Sequence, residues 1–261
     1  SSVLGFTAPY ENGGVVDNSG FEIGLDYNKK ISEVTFNIGG NFNYNHNKIK
    51  EQYEQPRLYS NLVQTGNQLG QIYGLKAIGL FKDAADIAAS PKQNFSTVQP
   101  GDIKYLDVNG DNIIDANDKC AIGHSTTPGM YYSLHLGAEY KGFDLSIFFQ
   151  WSYGNDVLNA NRLFFENVNN SRNLNQYATY ADRWTPENPT SNIPVAKNSS
   201  SNKVVSSRVI EDGSFLRLKT LTLGYTLPKK ALRKWGISTA RVYVAGQNLW
   251  TISGYSGYDP E

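Results

Sequence analysis

Oxygen-bearing side chains are concentrated in one short segment, GDIKYLDVNGDNIIDANDK, which spans residues 101–119. Calcium prefers hard oxygen ligands, and a twelve-residue calcium loop supplies them from its positions 1, 3, 5, 7, 9 and 12. Six residues occupy those positions here, with position 7 contributing its backbone carbonyl: Asp107, Asn109, Asp111, Ile113, Asp115 and Asp118. The spacing therefore predicts a Ca²⁺ site that orders a loop and takes no part in catalysis.

Two positions of this segment depart from the usual calcium-loop pattern. Position 6 is Asn112 where glycine is expected, although asparagine tolerates a left-handed backbone better than most residues do. Position 12 is Asp118 where a longer, bidentate glutamate is expected. No amphipathic helices flank the segment, so it would be a calcium loop without an EF-hand pair. A solvated turn rich in aspartate and asparagine is the alternative interpretation.

The other residues with reactive side chains form no recognisable active site. The three histidines, His46, His124 and His135, are far apart and lack metal-ligand spacing. No GxSxG motif and no glycine-rich phosphate loop occur, and Cys120 is the single cysteine. We therefore expect that the protein is not an enzyme. Lys plus Arg and Asp plus Glu both total 24, which gives no electrostatic reason to expect a nucleic-acid partner.

The elements that must position this loop are long, regularly alternating strands. From Val34 to Asn47, apolar and polar side chains alternate, which is the pattern of a β-strand with two different faces. Ordinary strands are about five or six residues long, whereas a strand that crosses a membrane needs roughly nine to eleven. The same alternation recurs in five other segments: 21–28, 132–140, 143–153, 215–225 and 242–247.

The segment at residues 215–225 alternates less cleanly than the others. Leu216 and Leu218 fall on one face of a regular strand, whereas Leu221 and Leu223 fall on the opposite face. A β-bulge between the two pairs would bring all four leucines to one face. The sequence leaves open whether such a bulge exists.

Short and long connections alternate along the chain. The short ones are 29–33, the Lys141-Gly142 turn and 228–237, and the long ones are 48–72, 84–130 and 154–213. Globular domains rarely contain several long loops, whereas outer-membrane barrels have short periplasmic turns at one end and long extracellular loops at the other. The pattern favours an all-β fold: an antiparallel transmembrane β-barrel segment with long extracellular loops.

Alternation alone does not separate a barrel from a β-sandwich. A sandwich buries its apolar face, whereas a membrane barrel turns that face to lipid and its polar face to the lumen. A soluble, secreted, calcium-stabilised β-sandwich that binds glycans is therefore an alternative, and a passive porin of the same architecture is a second one. Strand length, the asymmetry of the loops and asparagine-rich polar faces favour the barrel.

Several long motifs resemble those of one transporter family. The C-terminal stretch carries FLRLKTLTLGYTLP at 215–228, RVYVAGQNLWT at 241–251 and SGYDPE at 256–261. Three further stretches match the same family: DNSGFEIGLDYNKKISEVTFNIGGNFNYNHNKI at 17–49, GDIKYLDVNGDNIIDANDKCAIG at 101–123 and YKGFDLSIFFQWSYGNDVLN at 140–159. On these motifs, the chain resembles the C-terminal part of a SusC/RagA-like TonB-dependent outer-membrane transporter.

This resemblance implies a barrel of about 22 strands around an N-terminal plug. It also implies a SusD-like surface lipoprotein that closes over the extracellular loops, and import of glycans or peptides energised through TonB. Residues 1–261 would form the C-terminal portion of the barrel, about eight strands, with the plug and the final strands outside this chain. The location implied is the outer membrane of a Gram-negative bacterium.

The resemblance also assigns expected roles to the two faces and to the loops. The loops at 48–72, 84–130 and 154–213 would meet the lipoprotein and the substrate, and the apolar strand faces would meet outer-membrane lipid. TonB would act through a region absent from this chain. The polar strand faces would line the lumen through nine side chains: Glu22, Asp26, Asn37, Asn41, Asn43, Ser133, Glu139, Asp144 and Gln150.

Overall fold

A computed structural model describes residues 13–166, 175–197 and 201–261. The strands in chain order are β1 (Gly14–Ile31), β2 (Val34–Gln52), β3 (Gln71–Gly74), β4 (Ala77–Leu80), β5 (Lys92–Gln93), β6 (Ile103–Tyr105), β7 (Ile113–Ile114), β8 (Cys120–Ser125), β9 (Met130–Tyr140), β10 (Phe143–Tyr153), β11 (Asp156–Leu158), β12 (Ile210–Asp212), β13 (Phe215–Thr226) and β14 (Arg241–Ser253). The short helices are α1 (Ala84–Ala88), α2 (Ala160–Phe165) and α3 (Lys229–Leu232). None of the helices in the described ranges is long and apolar enough to span a membrane.

The six long strands form one antiparallel sheet in the order β1-β2-β9-β10-β13-β14. These strands contain all six segments in which alternation predicts a strand, so the all-β antiparallel prediction is confirmed. Within the described residues the sheet has six long strands rather than the expected total of about eight. The other sheets have two strands each, so among the residues that the structure describes no second large sheet faces the first, as a β-sandwich would require.

Tight turns at one end of the sheet fix the register of two strand pairs. Lys141 and Gly142 both have positive φ, 47° and 90°, which is the backbone of a two-residue hairpin turn. Ser32 (φ 57°) begins the equivalent turn between β1 and β2, where Ile31 pairs with Val34. The connection between β13 and β14 is closed at the same end by a hydrogen bond from the Leu227 N–H to the Ala240 carbonyl, 2.9 Å.

A β-bulge in β13 resolves the ambiguous leucine pattern. Adjacent residues of β10, Phe148 and Phe149, pair with Thr220 and Leu218, so Lys219 is the extra residue relative to β10. Relative to β14, Leu218 pairs with Trp250 and Thr220 with Gln247, so there the extra residue lies in β14. Leu218 pairs with Phe149 and Leu221 pairs with Ile147, two residues of β10 that point to the same face. The bulge therefore keeps every leucine of β13 on the apolar side of the sheet.

The apolar face of the sheet is exposed rather than buried. Leu25 in β1 is 72% exposed and Val244 in β14 is 76% exposed, and both edges of the sheet carry similar residues. A soluble protein rarely exposes a continuous apolar surface of this extent. The packed core of the protein lies instead in the long connections.

The described parts of the long connections fold together into what we call the loop body, residues 53–129, 154–166, 175–197 and 201–213. Its framework is four two-stranded sheets: β3–β8, β4–β6, β11–β12 and the parallel pair β5–β7. Its core is fully or almost fully buried and comprises Leu75, Ile103, Tyr105 and Ile114, with Phe95 and Val204 packed against them. The residues that were expected to form extracellular loops are thus largely structured.

Candidate functional site: the polar wall and the loop body

One face of the large sheet, here called the polar wall, contains all nine residues expected to line a lumen. The register carries one row of side chains across the strands: Asn41 pairs with Ser133, Ser133 with Gln150, and Gln150 with Arg217. A parallel row pairs Glu139 with Asp144. Because pairing partners point to the same side of a sheet, these polar groups form a continuous surface.

Glycines allow polar side chains to lie flat on this wall. Arg241 of β14 reaches across β13 to Asp144 of β10, with Nε 2.9 Å from Oδ1. The ion pair passes over Gly224, where a Cβ would lie only 2.4 Å from the guanidinium and 2.6 Å from the carboxylate. Gly39 has the same relation to the Asp26 carboxylate, at 2.6 Å. At these glycines no Cβ projects from the polar wall, so another part of a protein could approach the sheet closely there.

The first half of the predicted calcium loop is a tight turn with several side-chain-to-backbone hydrogen bonds. The Asp107 carboxylate accepts hydrogen bonds from the N–H groups of Gly110 (2.7 Å) and Asn112 (2.8 Å). Asn112 has a left-handed φ of 61°, the conformation for which glycine is usual at that position. Asp111 accepts from the Ile113 N–H at 2.9 Å. Local side-chain hydrogen bonds thus stabilise the turn.

The second half of the loop directs its carboxylates to the protein backbone. Asp118 is fully buried and accepts from the N–H groups of Val108 (2.9 Å) and Asp115 (2.8 Å). Asp115 accepts from the Asn117 N–H at 2.7 Å, so the two acids form a capping box around the 3-10 turn at Ala116–Asp118. In the described part of the chain, no three His, Cys, Asp or Glu side chains are grouped as a metal site.

The carboxylates of this loop affect the pKa of Tyr59. Burial, followed by the negative charges of Asp111, Asp115 and Asp118, raises the pKa of the Tyr59 hydroxyl above its ordinary value. Asp111 also makes a side-chain hydrogen bond with this hydroxyl, so Tyr59 lies beside the loop. Asn61 also contacts the end of this loop: its side-chain amide donates to the backbone carbonyls of Asn117 (2.7 Å) and Lys119 (2.8 Å).

A buried acid joins the two halves of the loop body. Asp102 is fully buried, and its carboxylate accepts from the Gln99 N–H (2.8 Å), the Asn202 amide (2.8 Å) and the Lys197 ammonium (3.2 Å). Asn202 in turn accepts from the Ile103 N–H at 2.9 Å. These contacts connect positions about 100 residues apart in sequence, so the two long connections behave as one unit.

An ion network reinforces that unit at its second half. Arg162 contacts Glu166 (3.2 Å) and Glu211 (3.1 Å), and Arg208 contacts Glu166 at 2.6 Å. Burial lowers the pKa of the Arg208 guanidinium, while Glu166 opposes that shift. Most of these side chains are nearly buried, so the network has a structural role in the arrangement of α2 and β12.

Known proteins match both the sequence and the fold. No protein-family model matches the chain. TonB-dependent receptor P26 of Formosa agariphila is 33% identical over 272 residues, which cover 98% of the chain and 27% of that receptor. TonB-dependent receptor SusC of Bacteroides thetaiotaomicron is 24% identical over 266 residues, 96% of the chain and 24% of SusC. The structure of the RagAB peptide transporter matches with a TM-score of 0.77 and 25% identity, covering the whole chain and 28% of that structure's chain.

The chain is homologous to the SusC/RagA-type TonB-dependent receptors. The resemblance predicted from the sequence motifs is therefore confirmed. The chain spans about a quarter of the length of these TonB-dependent receptors.

One feature of this receptor homologue is not predictable from alternation or metal-ligand spacing. Arg217 on the polar wall is only 3% exposed, because the last residues of the chain fold back over it. Its guanidinium contacts Asp259, Glu261 and the Thr251 hydroxyl (3.1 Å), and Lys219 at the bulge also contacts Glu261, at 2.9 Å. The Glu261 N–H and then Arg217 lower the pKa of the Asp259 carboxyl. The available signal was two cations in FLRLK facing two acids in SGYDPE.

Proposed function

We propose that this chain is the C-terminal part of the barrel of an outer-membrane active transporter that imports glycans or peptides and performs no catalysis. The observation that carries this proposal is the match of the whole chain to the RagAB peptide transporter, in fold and in sequence. The relatives with printed functions are receptors and a transporter, which supports transport over enzymatic activity.

The geometry of the sheet supports a membrane position. Strands β9 and β10 have 11 residues each, which is the length that a tilted strand needs to cross a bilayer, roughly nine to eleven residues. The exposed apolar face suits lipid, and the polar wall suits an aqueous or protein-filled lumen. The edges β1 and β14 expose backbone groups that lipid cannot satisfy, so further strands of a longer polypeptide would pair with them.

The loop body is the surface we assign to recognition outside the cell. It is rigid, because its two halves share a core and the Asp102 network, and it lies on the end of the sheet opposite the tight turns. We propose that it meets a SusD-like surface lipoprotein and the substrate. TonB would act on a part of the transporter outside this chain. The match to the RagAB peptide transporter favours peptides, and glycans are the second class that the resemblance of the sequence motifs implies.

The test is extraction of the native protein from outer membranes, followed by measurement of its intact mass and of the proteins that co-purify. We expect a polypeptide roughly four times as long as this chain, since the chain spans 27% of receptor P26, together with a surface lipoprotein. Uptake of labelled peptides and oligosaccharides then separates the two substrate classes. A stable species of 29.0 kDa that stays in solution without detergent would refute the proposal.

We also propose that Ca²⁺ binds the loop at residues 107–118 and orders it. The support is the left-handed turn at Asn112, where calcium loops have glycine, and the hydrogen bonds that fix the Asp107 and Asp111 carboxylates within the loop. The ligands would be Asp107, Asn109, Asp111, the Ile113 carbonyl, Asp115 and Asp118. Asp118 would have to share its carboxylate between the cation and the backbone N–H groups that it now accepts from.

Terbium luminescence of the intact transporter measures this site, because Tyr59 lies beside Asp111 and can sensitise a bound lanthanide. We expect saturable emission that Ca²⁺ displaces with a dissociation constant of about 0.1–1 mM, the range of extracellular calcium modules. Asp107→Ala should weaken binding at least about tenfold, because it removes a carboxylate ligand and the turn contact to Asn112. Asp83→Ala, a change at an exposed aspartate outside the loop, is the matched control. Equal emission from the Asp107 and Asp83 variants would contradict the proposal.

A further inference from the structure

The connection between β13 and β14 carries a cluster of cations without acidic partners. Within six residues it presents four exposed basic side chains, here called the basic link: Lys229, Lys230, Arg233 and Lys234. None of the four forms an ion pair with a carboxylate in the described ranges of the chain. No acidic residue occurs between Thr226 and Arg241 to offset them. The cluster is therefore a concentrated, uncompensated positive charge.

The basic link is an ordered element that also presents apolar side chains. Leu232 is almost fully buried and anchors α3, and Gly236 ends the following 3-10 turn with a left-handed φ of 66°. Between these two fixed points, Trp235 is 78% exposed, and Ile237 just beyond them is also exposed. Cations and an exposed indole thus stand together on a rigid support, which is the side-chain combination that suits a membrane interface.

The position of the link continues the exposed apolar face. It lies directly beyond the turn-side ends of β13 and β14, where Leu223 and Val242 are exposed. Other basic residues lie near the same turn end of the sheet. Lys29 pairs with Phe36 and so points to the apolar face, near the end of β1. Lys141 lies over the Tyr140 ring, with its nitrogen 5.1 Å from the centroid, and it also forms an ion pair with Glu33 at 2.7 Å. Long basic side chains in this position bury their stems and extend their charges towards headgroups.

We infer that the basic link binds anionic phospholipid headgroups of the leaflet at the turn end of the sheet. Charge complementarity supports this occupant, because cations next to a bilayer surface are attracted to anionic lipid. The continuity of the exposed Trp235 with the apolar face of the sheet favours a lipid surface over an acidic protein. The inference rests on the proposed function, since it requires the sheet to be in a membrane.

The test uses the full-length transporter in detergent micelles, with phosphatidylglycerol or phosphatidylcholine of the same acyl chains added and retained lipids counted by native mass spectrometry. Wild type should retain phosphatidylglycerol in preference to phosphatidylcholine, and 1 M salt should reduce that preference because it screens exposed charges. A variant with glutamine at all four positions of the basic link should lose about tenfold in phosphatidylglycerol retention. The matched control changes four exposed lysines of the loop body and should retain the preference: Lys76→Gln, Lys82→Gln, Lys92→Gln and Lys119→Gln.

Two results would overturn the inference, and the first of them depends on the wild type alone. Equal retention of both lipids by the wild type would refute it, as would a phosphatidylglycerol preference that survives loss of the basic link. Release of an acidic periplasmic protein by the link variant, with lipid retention unchanged, would assign the surface to a protein partner instead. If the transporter is absent from the outer-membrane fraction altogether, the proposed function fails rather than the lipid site alone.

Discussion

Replacing Asp102 by alanine is expected to lower the free energy of opening of the loop body by about 3 kcal/mol. The substitution removes three acceptor contacts at a fully buried site, from Gln99, Lys197 and Asn202. It also leaves the Lys197 ammonium, which is 25% exposed, without its carboxylate. Because Asn202 also accepts from the Ile103 N–H, the loss should reach the core strand β6.

Hydrogen exchange of the intact transporter measures this effect at the Ile103 and Tyr105 amides. An opening free energy lower by about 3 kcal/mol corresponds to exchange about 100-fold faster. Asp83→Ala is the control, because Asp83 only caps α1 at the surface through the Asp86 N–H, 2.8 Å, and should act locally. The amides of β9 and β10 should not change in either variant. Equal exchange at Ile103 in the two variants would show that Asp102 does not join the halves of the loop body.

Gly101→Ala is expected to destabilise the same region by about 2–4 kcal/mol, through two separate causes. Gly101 has a left-handed φ of 86°, which costs a residue with a Cβ about 1 kcal/mol or more. Its Cβ would also lie 2.5 Å from the Trp184 ring and 2.7 Å from the Val195 Cβ. Trp184 is buried, so its ring cannot move into solvent to relieve the contact.

Gly66→Ala separates the two causes. Gly66 has a similar φ of 97°, but nothing lies within 4 Å of the Cβ it would gain, so only the backbone cost should remain. The Val195 amide donates to the Gly101 carbonyl at 2.9 Å. Its hydrogen-exchange rate therefore measures the effect of the steric contact between the added Cβ and Trp184. Adding Trp184→Leu to Gly101→Ala should recover part of the loss, as expected for residues in contact. Equal destabilisation by Gly66→Ala and Gly101→Ala would mean that the Trp184 contact has no energetic weight.

Local pattern was sufficient to predict the strands and their faces. The alternation from Val34 to Asn47 depends only on neighbours two positions apart, because successive side chains of a strand point to opposite sides. The positions and polarity of the six strands could therefore be predicted before any pairing was known. The motifs at 215–228 and 241–251 added the family, because long matches of this kind are specific in a way that period alone is not.

The bulge at Lys219 could not be predicted from the sequence of β13 alone. Two leucine pairs on opposite faces of an ideal strand are compatible with either a true change of face or a bulge. Only pairing of Leu218 with Phe149 and of Leu221 with Ile147 decides between them. That information resides in the partner strand, about 70 residues earlier in the chain.

The sequence by itself determined that this protein is an antiparallel β-sheet with one polar and one apolar face, joined by tight turns at one end. The tertiary structure alone decided how the long connections fold. Their strands are only two to six residues long, too short for a periodic signal, and their stability comes from contacts such as Asp102–Asn202 between distant residues. It likewise decided that Asp118 turns to the backbone and that Arg217 is covered by the last residues. The contacts of Asp118 and Arg217 depend on which polar groups are removed from water together. Such desolvation depends on the packing of the whole chain and not on any single segment.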